Sequence, residues 1–197
     1  MVNTACQRYR PMNHSLDTKI RLPQPPEELF PFFSDAANLE LITPPELGFS
    51  IVSSDRLRLD TGAHIRYRLR LWGVPIGWTT RIGAWAPPHQ FIDEQISGPF
   101  KRWRHRHVLQ ATDRGTTMHD HVDYALPFAP AGEMAHWLVR RQLQRIFSYR
   151  HEAMLRLFSV TTDQPFIIHF DRDSQDPENP PLAERPASAA RTTGALE

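Results

Sequence analysis

The sequence predicts an α+β fold: a curved antiparallel sheet of about seven strands, with two short helices after the first strand and one long helix after the last. Two observations carry this expectation. Up to residue 126 the apolar residues fall in short runs that alternate with polar ones and are broken by turn dipeptides, which is the two-residue period of half-buried strands. From Ala131 to Phe158 the period changes to that of an amphipathic helix.

The chain has 197 residues and is 40% hydrophobic, enough for one ordinary core and short for two. Lys and Arg number 23 against 22 Asp and Glu, so no overall field draws the protein to nucleic acid or to an anionic bilayer. The single cysteine, Cys6, excludes an intramolecular disulfide and fits a reducing, cytoplasmic setting. The first residues, MVNTACQRYRPMNHS, hold no apolar secretory core, and nowhere do about eighteen apolar residues run together, so export by that route and stable membrane insertion are not expected. Protein partners are left open.

Three segments are expected: a polar lead-in over 1–14, a domain over 15–159 and a tail over 160–197. Pro165, Pro177, Pro180, Pro181 and Pro186 stand in the tail among Ser, Asp, Glu and Ala, a mixture that buries too little apolar surface to order itself. Phe166-Ile167-Ile168-His169-Phe170 is the exception and is expected to dock on the domain.

Leu16, Thr18, Ile20 and Leu22 alternate as a first strand, closed by Pro25-Pro26. Helices follow over Glu27 to Phe33 and over Ala36 to Ile42, the second capped by Ser34-Asp35 and stopped by Pro44-Pro45. Strands are then expected over Leu47 to Ser53, His64 to Leu71, Ile76 to Trp85, Phe91 to Ser97, Phe100 to Gln110 and Thr116 to Leu126. Their connections at Pro87-Pro88, Gly98-Pro99 and Asp113-Arg114-Gly115 are too short for a parallel crossover, so neighbours must run antiparallel. Leu138, Val139, Leu143, Ile146, Phe147, Met154, Leu157 and Phe158 form the apolar stripe of the long helix.

This order, and the residues on it, resemble the SRPBCC superfamily, also described as START-like or Bet v 1-like helix-grip proteins. The similarity is greatest to ligand-binding members related to the polyketide cyclase/dehydrase and coenzyme Q-binding groups. It is carried by Glu28-Leu29-Phe30, Phe33-Ser34-Asp35, Asn38-Leu39, Ile42-Thr43-Pro44-Pro45, Asp93-Glu94-Gln95, the run from Gly98 to His107, Val122 to Pro127, and Arg141-Gln142-Leu143 with Phe147, Tyr149 and Arg150. The resemblance covers roughly residues 14 to 158 and implies a cavity between sheet and long helix, entered near the paired short helices. It further implies that the cavity holds a lipid, an isoprenoid quinone or a polyketide-like ring system without a cofactor. Enzymes share the fold, so a cyclase or dehydratase is the alternative that the resemblance leaves.

Strand parity then selects candidate residues. On the strand after Gly98-Pro99, Trp103, His105 and His107 point inward and Arg102, Arg104 and Arg106 outward. A turn centred on Pro99 sets Asp93 opposite His105 and Gln95 opposite Trp103, giving an otherwise apolar pocket a polar floor. His105 and Asp93 are candidates for orienting a ligand oxygen or, in the enzyme alternative, for acid/base work, set against a purely structural network of paired buried groups. Met118, Asp120, Val122 and Tyr124 are turned inward by the same parity, with Asp120 a further partner for His105 or His107. Phe91, Tyr67, Trp78 and Phe147 complete the candidate ligand-binding set.

A metal site built from His105-x-His107 and His119-x-His121 requires Met118 and Val122 to face water, so no metal is expected. The rows Arg66, Arg68, Arg70 and Arg102, Arg104, Arg106 are expected to be a solvated outer face rather than a nucleic-acid or headgroup site. No phosphate loop, dinucleotide fingerprint, CxxC pair or nucleophile elbow is present.

Overall fold

The computed structural model describes residues 13–53, 59–128 and 130–172. Eight strands form one antiparallel sheet in the order β2-β3-β4-β5-β6-β7-β1-β8. They are β1 (His14–Leu22), β2 (Ser50–Ile51), β3 (His64–Leu71), β4 (Val74–Ala86), β5 (Gln90–Ser97), β6 (Arg102–Thr112), β7 (Gly115–Ala125) and β8 (Ile168–Arg172). The helices are α1 (Pro26–Phe33), α2 (Ala131–Met134) and α3 (His136–Leu157), with 3-10 turns at Ala36–Ile42 and Pro45–Leu47. This is the helix-grip, Bet v 1-like architecture that the family resemblance implies.

The differences have local causes. The strand expected over Leu47 to Ser53 shrinks to Ser50–Ile51, because Pro45–Leu47 closes a 3-10 turn ending on left-handed Gly48 (φ 50°). The helix expected from Ala131 breaks at Ala135, whose ψ of 1° lies outside the helical range, leaving α3 with 22 residues, about 33 Å of rise. The Phe166–Phe170 patch contributes β8, which pairs with β1 from His14↔Arg172 to Thr18↔Ile168. Phe166 stacks on His151 and the Arg140 guanidinium lies over the Phe170 ring. The lead-in over 1–12 with Cys6, and the tail from 173 onward, lie outside the described residues.

Curvature comes from β4, whose pairing with β5 shifts register between Thr79 and Thr80 and between Ile82 and Ala84. Each irregularity bends the strand and strengthens its twist, so the sheet folds around α3 instead of lying flat beneath it. One end is closed by a packed core in which Leu29, Phe30 and Phe33 of α1 meet Ile20, Leu22, Leu109, Met118, Ala153 and Met154. At a side chain's worth of ~1.5–3 kcal/mol each, this cluster anchors the C-terminal half of α3 to the sheet. Toward the other end Leu16, Trp78, Trp103, Val122, Tyr124, Leu143 and Phe147 form a second cluster that does not fill the space between the layers.

On the outer face the arginine rows are partly paired. Glu94 takes Arg81 at 2.7 Å and Arg104 at 3.3 Å, and Arg102 lies 4.0 Å from Asp123. His119 and His121 do point outward, but both bond the same Asp17 oxygen, at 2.9 and 2.8 Å, and His121 is buried rather than exposed.

A cavity with a histidine and carboxylate floor

A cavity of about 540 Å³ lies between the sheet and α3. That falls in the range of small-molecule pockets, roughly 300–1,000 Å³. Its wall is mostly carbon: Ile65, Tyr67 and Leu69 from β3, Trp78 and Ile82 from β4, Phe91 from β5, Trp103 from β6, and Val139, Leu143, Ile146 and Phe147 from α3. The segment following α1 adds Asn38, Leu39 and Ile42. Trp72 and Phe128 also line it while 62% and 86% exposed, which places them at the rim. Both hold positive φ, 50° and 57°, a rare conformation for large aromatic residues.

The polar floor forms where register predicts it. Asp93 pairs with His105 across β5 and β6, and His107 pairs with Asp120 across β6 and β7. Alternation turns all four side chains to the concave face, and Asp93, His105 and His107 line the cavity. His107 Nδ1 is 2.7 Å from Asp120 Oδ1 and its Nε2 is 3.0 Å from Asp93 Oδ2. The His105 ring packs against His107 with centroids 3.7 Å apart. Its Nδ1 lies 3.6 Å from Asp93 Oδ2, and its Nε2 lies 3.3 Å from Asp120 Oδ1 without the alignment of a hydrogen bond. Behind them Arg150 of α3 brings Nε to 3.4 Å from Asp120 Oδ2.

Burial opposes charge on every member, and the neighbours decide the outcome. For Asp120 burial is outweighed by the Arg150 and His107 charges, which hold its carboxyl well below the ordinary range. Asp93 is likewise lowered, its burial overcome by the His107 hydrogen bond and the charges of His105, His107 and Arg150. His107 is raised because Asp120 and Asp93 overcome its burial, whereas burial and the adjacent His107 charge push His105 down to about 4. At neutral pH the floor thus holds two carboxylates, the Arg150 guanidinium and a neutral His105, while the carboxylates favour the charged form of His107. One atom each from Asp93, His105 and His107 lie within 4.8 Å of one another, a spacing able to hold a metal ion.

Of the sequence candidates, Asp93, Trp103, His105, His107, Phe91, Tyr67, Trp78 and Phe147 line the cavity. Three do not. Gln95 turns to the backbone of Phe100, bonding its carbonyl at 2.6 Å and its N–H at 3.3 Å, because the turn after β5 leaves those groups otherwise unpaired. Asp120 stands behind the two imidazoles rather than on the wall, and Tyr124 is fully buried with its hydroxyl 2.9 Å from His136 Nε2. Arg150 was the omission. It stands three residues after Phe147 and four before Met154, on the apolar stripe of α3, and a cation in that position signals a buried acidic partner.

Residues 49–158, more than half of the chain, match the family model of a domain of unknown function, DUF8410. The chain belongs to the DUF8410 family. No curated protein matches it. Among solved structures, this DUF8410 chain is similar to a START superfamily protein from Mycobacterium smegmatis, with a TM-score of 0.55 and 15% identity over 73% of this chain and 99% of that one. It is similar to the Zhui aromatase/cyclase from Streptomyces sp., with a TM-score of 0.54 and 18% identity over 74% and 96% of the two chains. The Mycobacterium smegmatis protein Ms6760 gives a TM-score of 0.55 and 18% identity over 74% and 90%. At these identities the likeness establishes the fold alone, the helix-grip architecture of this chain.

Proposed function

We propose that this chain binds or carries a hydrophobic small molecule in the cavity between its sheet and α3, with a lipid, an isoprenoid quinone or a polyketide-like ring system as the ligand class. The observation that carries the reading is the pocket itself: about 540 Å³ walled by aromatic and aliphatic side chains, with polar groups gathered on one patch. Such a site takes an apolar body by burial and orients it by one or two oxygens held at Asp93, His105 or His107. The neighbouring START superfamily protein and aromatase/cyclase support the fold on which the reading rests. No described helix is long and apolar enough to cross a membrane. Solvent extraction of the purified protein followed by mass spectrometry tests the proposal. A retained apolar compound, or saturable uptake of one from a panel of fatty acids, quinones and polycyclic aromatics, is expected; a stable protein that takes up none of them contradicts it.

A cyclase or dehydratase is the second reading, favoured by one specific contact. Asp93 and His105 approach within 3.6 Å on the cavity wall, where a bound carbonyl compound would meet them. Neutral His105 is placed to accept a proton, with Asp93 holding the imidazolium that forms. Turnover of a poly-β-ketone mimic that is lost in His105→Gln and Asp93→Asn while the compound still binds would support it. Binding of the mimic without turnover would exclude it.

A further inference from the structure

The two imidazoles on the cavity floor share one orientation. His105 and His107 each have one ring nitrogen directed to Asp93 Oδ2, at 3.6 and 3.0 Å, and the other directed to Asp120 Oδ1, at 3.3 and 2.7 Å. Three donor atoms from three side chains therefore converge on the Asp93 side, while a second carboxylate stands behind both rings on the opposite side. The separations suit a shared ion. Metal–ligand bonds of about 2.0–2.1 Å place neighbouring tetrahedral ligands roughly 3.3 Å apart, and the two measured edges, 3.0 and 3.6 Å, bracket that value. All three side chains line the cavity, so the remaining coordination positions would open on the space where a guest sits, as they do in metal sites with three protein ligands.

Asp120 completes the pattern. Imidazoles that ligate metals almost always give their far N–H to a carboxylate or carbonyl, which fixes the tautomer and the ring plane. Asp120 Oδ1 holds His107 Nδ1 at 2.7 Å and stands 3.3 Å from His105 Nε2, and Arg150 approaches its other oxygen from α3. Asp93, His105 and His107 each present a donor atom within 4.8 Å of the other two, on the side of the rings that faces the cavity. The strand register explains why the sequence pattern missed the site: the third ligand is Asp93 of β5, not the outward His119 or His121 of β7.

We propose that Asp93, His105 and His107 form a two-histidine, one-carboxylate site for a divalent first-row transition ion on the cavity floor, with Asp120 positioning the His107 imidazole. Two nitrogen donors and one oxygen select zinc, cobalt, nickel or iron over magnesium and calcium, which prefer all-oxygen shells. The site does not depend on the cavity's apolar guest, since the ion can be titrated with no organic ligand present.

The test uses the full chain, stripped with EDTA, and Co(II) and Zn(II) as probes. One equivalent of Co(II) is expected to bind with the intense d–d absorption of a four- or five-coordinate ion and to be displaced by Zn(II). Asp93→Asn and His105→Gln, which keep side-chain size, are expected to weaken binding by at least ~100-fold, and Asp120→Asn by about 10–100-fold. His119→Ala on the outer face is expected to leave binding unchanged. X-ray absorption on the zinc-loaded wild type gives a readout that needs no variant, with two imidazoles, oxygen and no sulfur in the shell. Failure of the folded wild type to bind either ion, an affinity unchanged in Asp93→Asn and His105→Gln, loss in His119→Ala, or sulfur in the shell would each overturn the proposal.

Discussion

Replacing Arg150 by Met removes the cation behind the cavity floor while keeping most of its apolar stem. Arg150 Nε lies 3.4 Å from Asp120 Oδ2, and both groups are buried. At an effective dielectric constant of about 20 the attraction at that distance is ~5 kcal/mol. The variant no longer desolvates a guanidinium, which returns part of this, and His107 at 2.7 Å still faces Asp120. The net loss expected is about 3 kcal/mol, the lower end of the cost of leaving a buried charge without its partner. For a chain of this size that corresponds to a melting temperature lower by roughly 6–12 °C. Urea unfolding in EDTA-containing buffer measures it without interference from bound metal. Adding Asp120→Asn removes the stranded charge, so the double variant should be more stable than the summed single losses by ~1–3 kcal/mol. A change in Arg150→Met within about 0.5 kcal/mol, or a cycle that adds without coupling, would refute the buried network as drawn.

Other outcomes follow from the same contacts. Asp123 and Asp17 overcome the partial burial of His121 and raise it to about 9, above its unfolded value near 6.5, so this contribution is complete below pH 6.5 and lost as pH rises toward 9. After allowance for solvent screening it amounts to about 1–2 kcal/mol, and urea midpoints at pH 6 and 9.5 should differ less in His121→Gln than in the wild type. Tyr124→Phe leaves His136 without its 2.9 Å partner at a buried position and should cost about 1–2 kcal/mol in chemical denaturation, with no change in cavity volume in a crystal structure. Trp72 and Gly73 form the two-residue β3–β4 turn with φ of 50° and 81°, so Trp72→Asn, which tolerates that conformation, should raise stability by about 0.5–1 kcal/mol; an unchanged or lower melting temperature would show the turn to be unstrained.

The architecture was legible because period and punctuation agree along the chain. His64–Leu71 alternates without a break, and the short turn at Asp113-Arg114-Gly115 makes β6 and β7 antiparallel neighbours. The inward set of β7 was legible for the same reason, since Met118, Asp120, Val122 and Tyr124 all lie below 3% exposure. Parity also placed Asp93 against His105. What parity does not carry is where a side chain goes once it faces inward. Gln95 satisfies a turn and Tyr124 satisfies a helix start, and both competing acceptors come from residues that no local pattern assigns to them. The break at Ala135 was hidden because alanine favours helix, and the backbone bond from Ala135 N–H to the Gly132 carbonyl that ends α2 leaves no mark on the residue pattern. The curvature around the cavity depends on two register shifts in β4, of which Gly83 marks the second and no residue marks the first.

An equilibrium titration with N-phenyl-1-naphthylamine, in the wild type and in Leu143→Trp, addresses the open interior between α3 and the sheet most directly. Leu143 lines that space at 4% exposure, so a larger side chain there has a void to enter. One probe per wild-type chain should bind saturably, with energy transfer from the buried Trp78 and Trp103, and the variant should stay folded while losing the site. A wild type that binds no probe, or a variant that unfolds while the wild type stays empty, would mean that side chains already fill the interior.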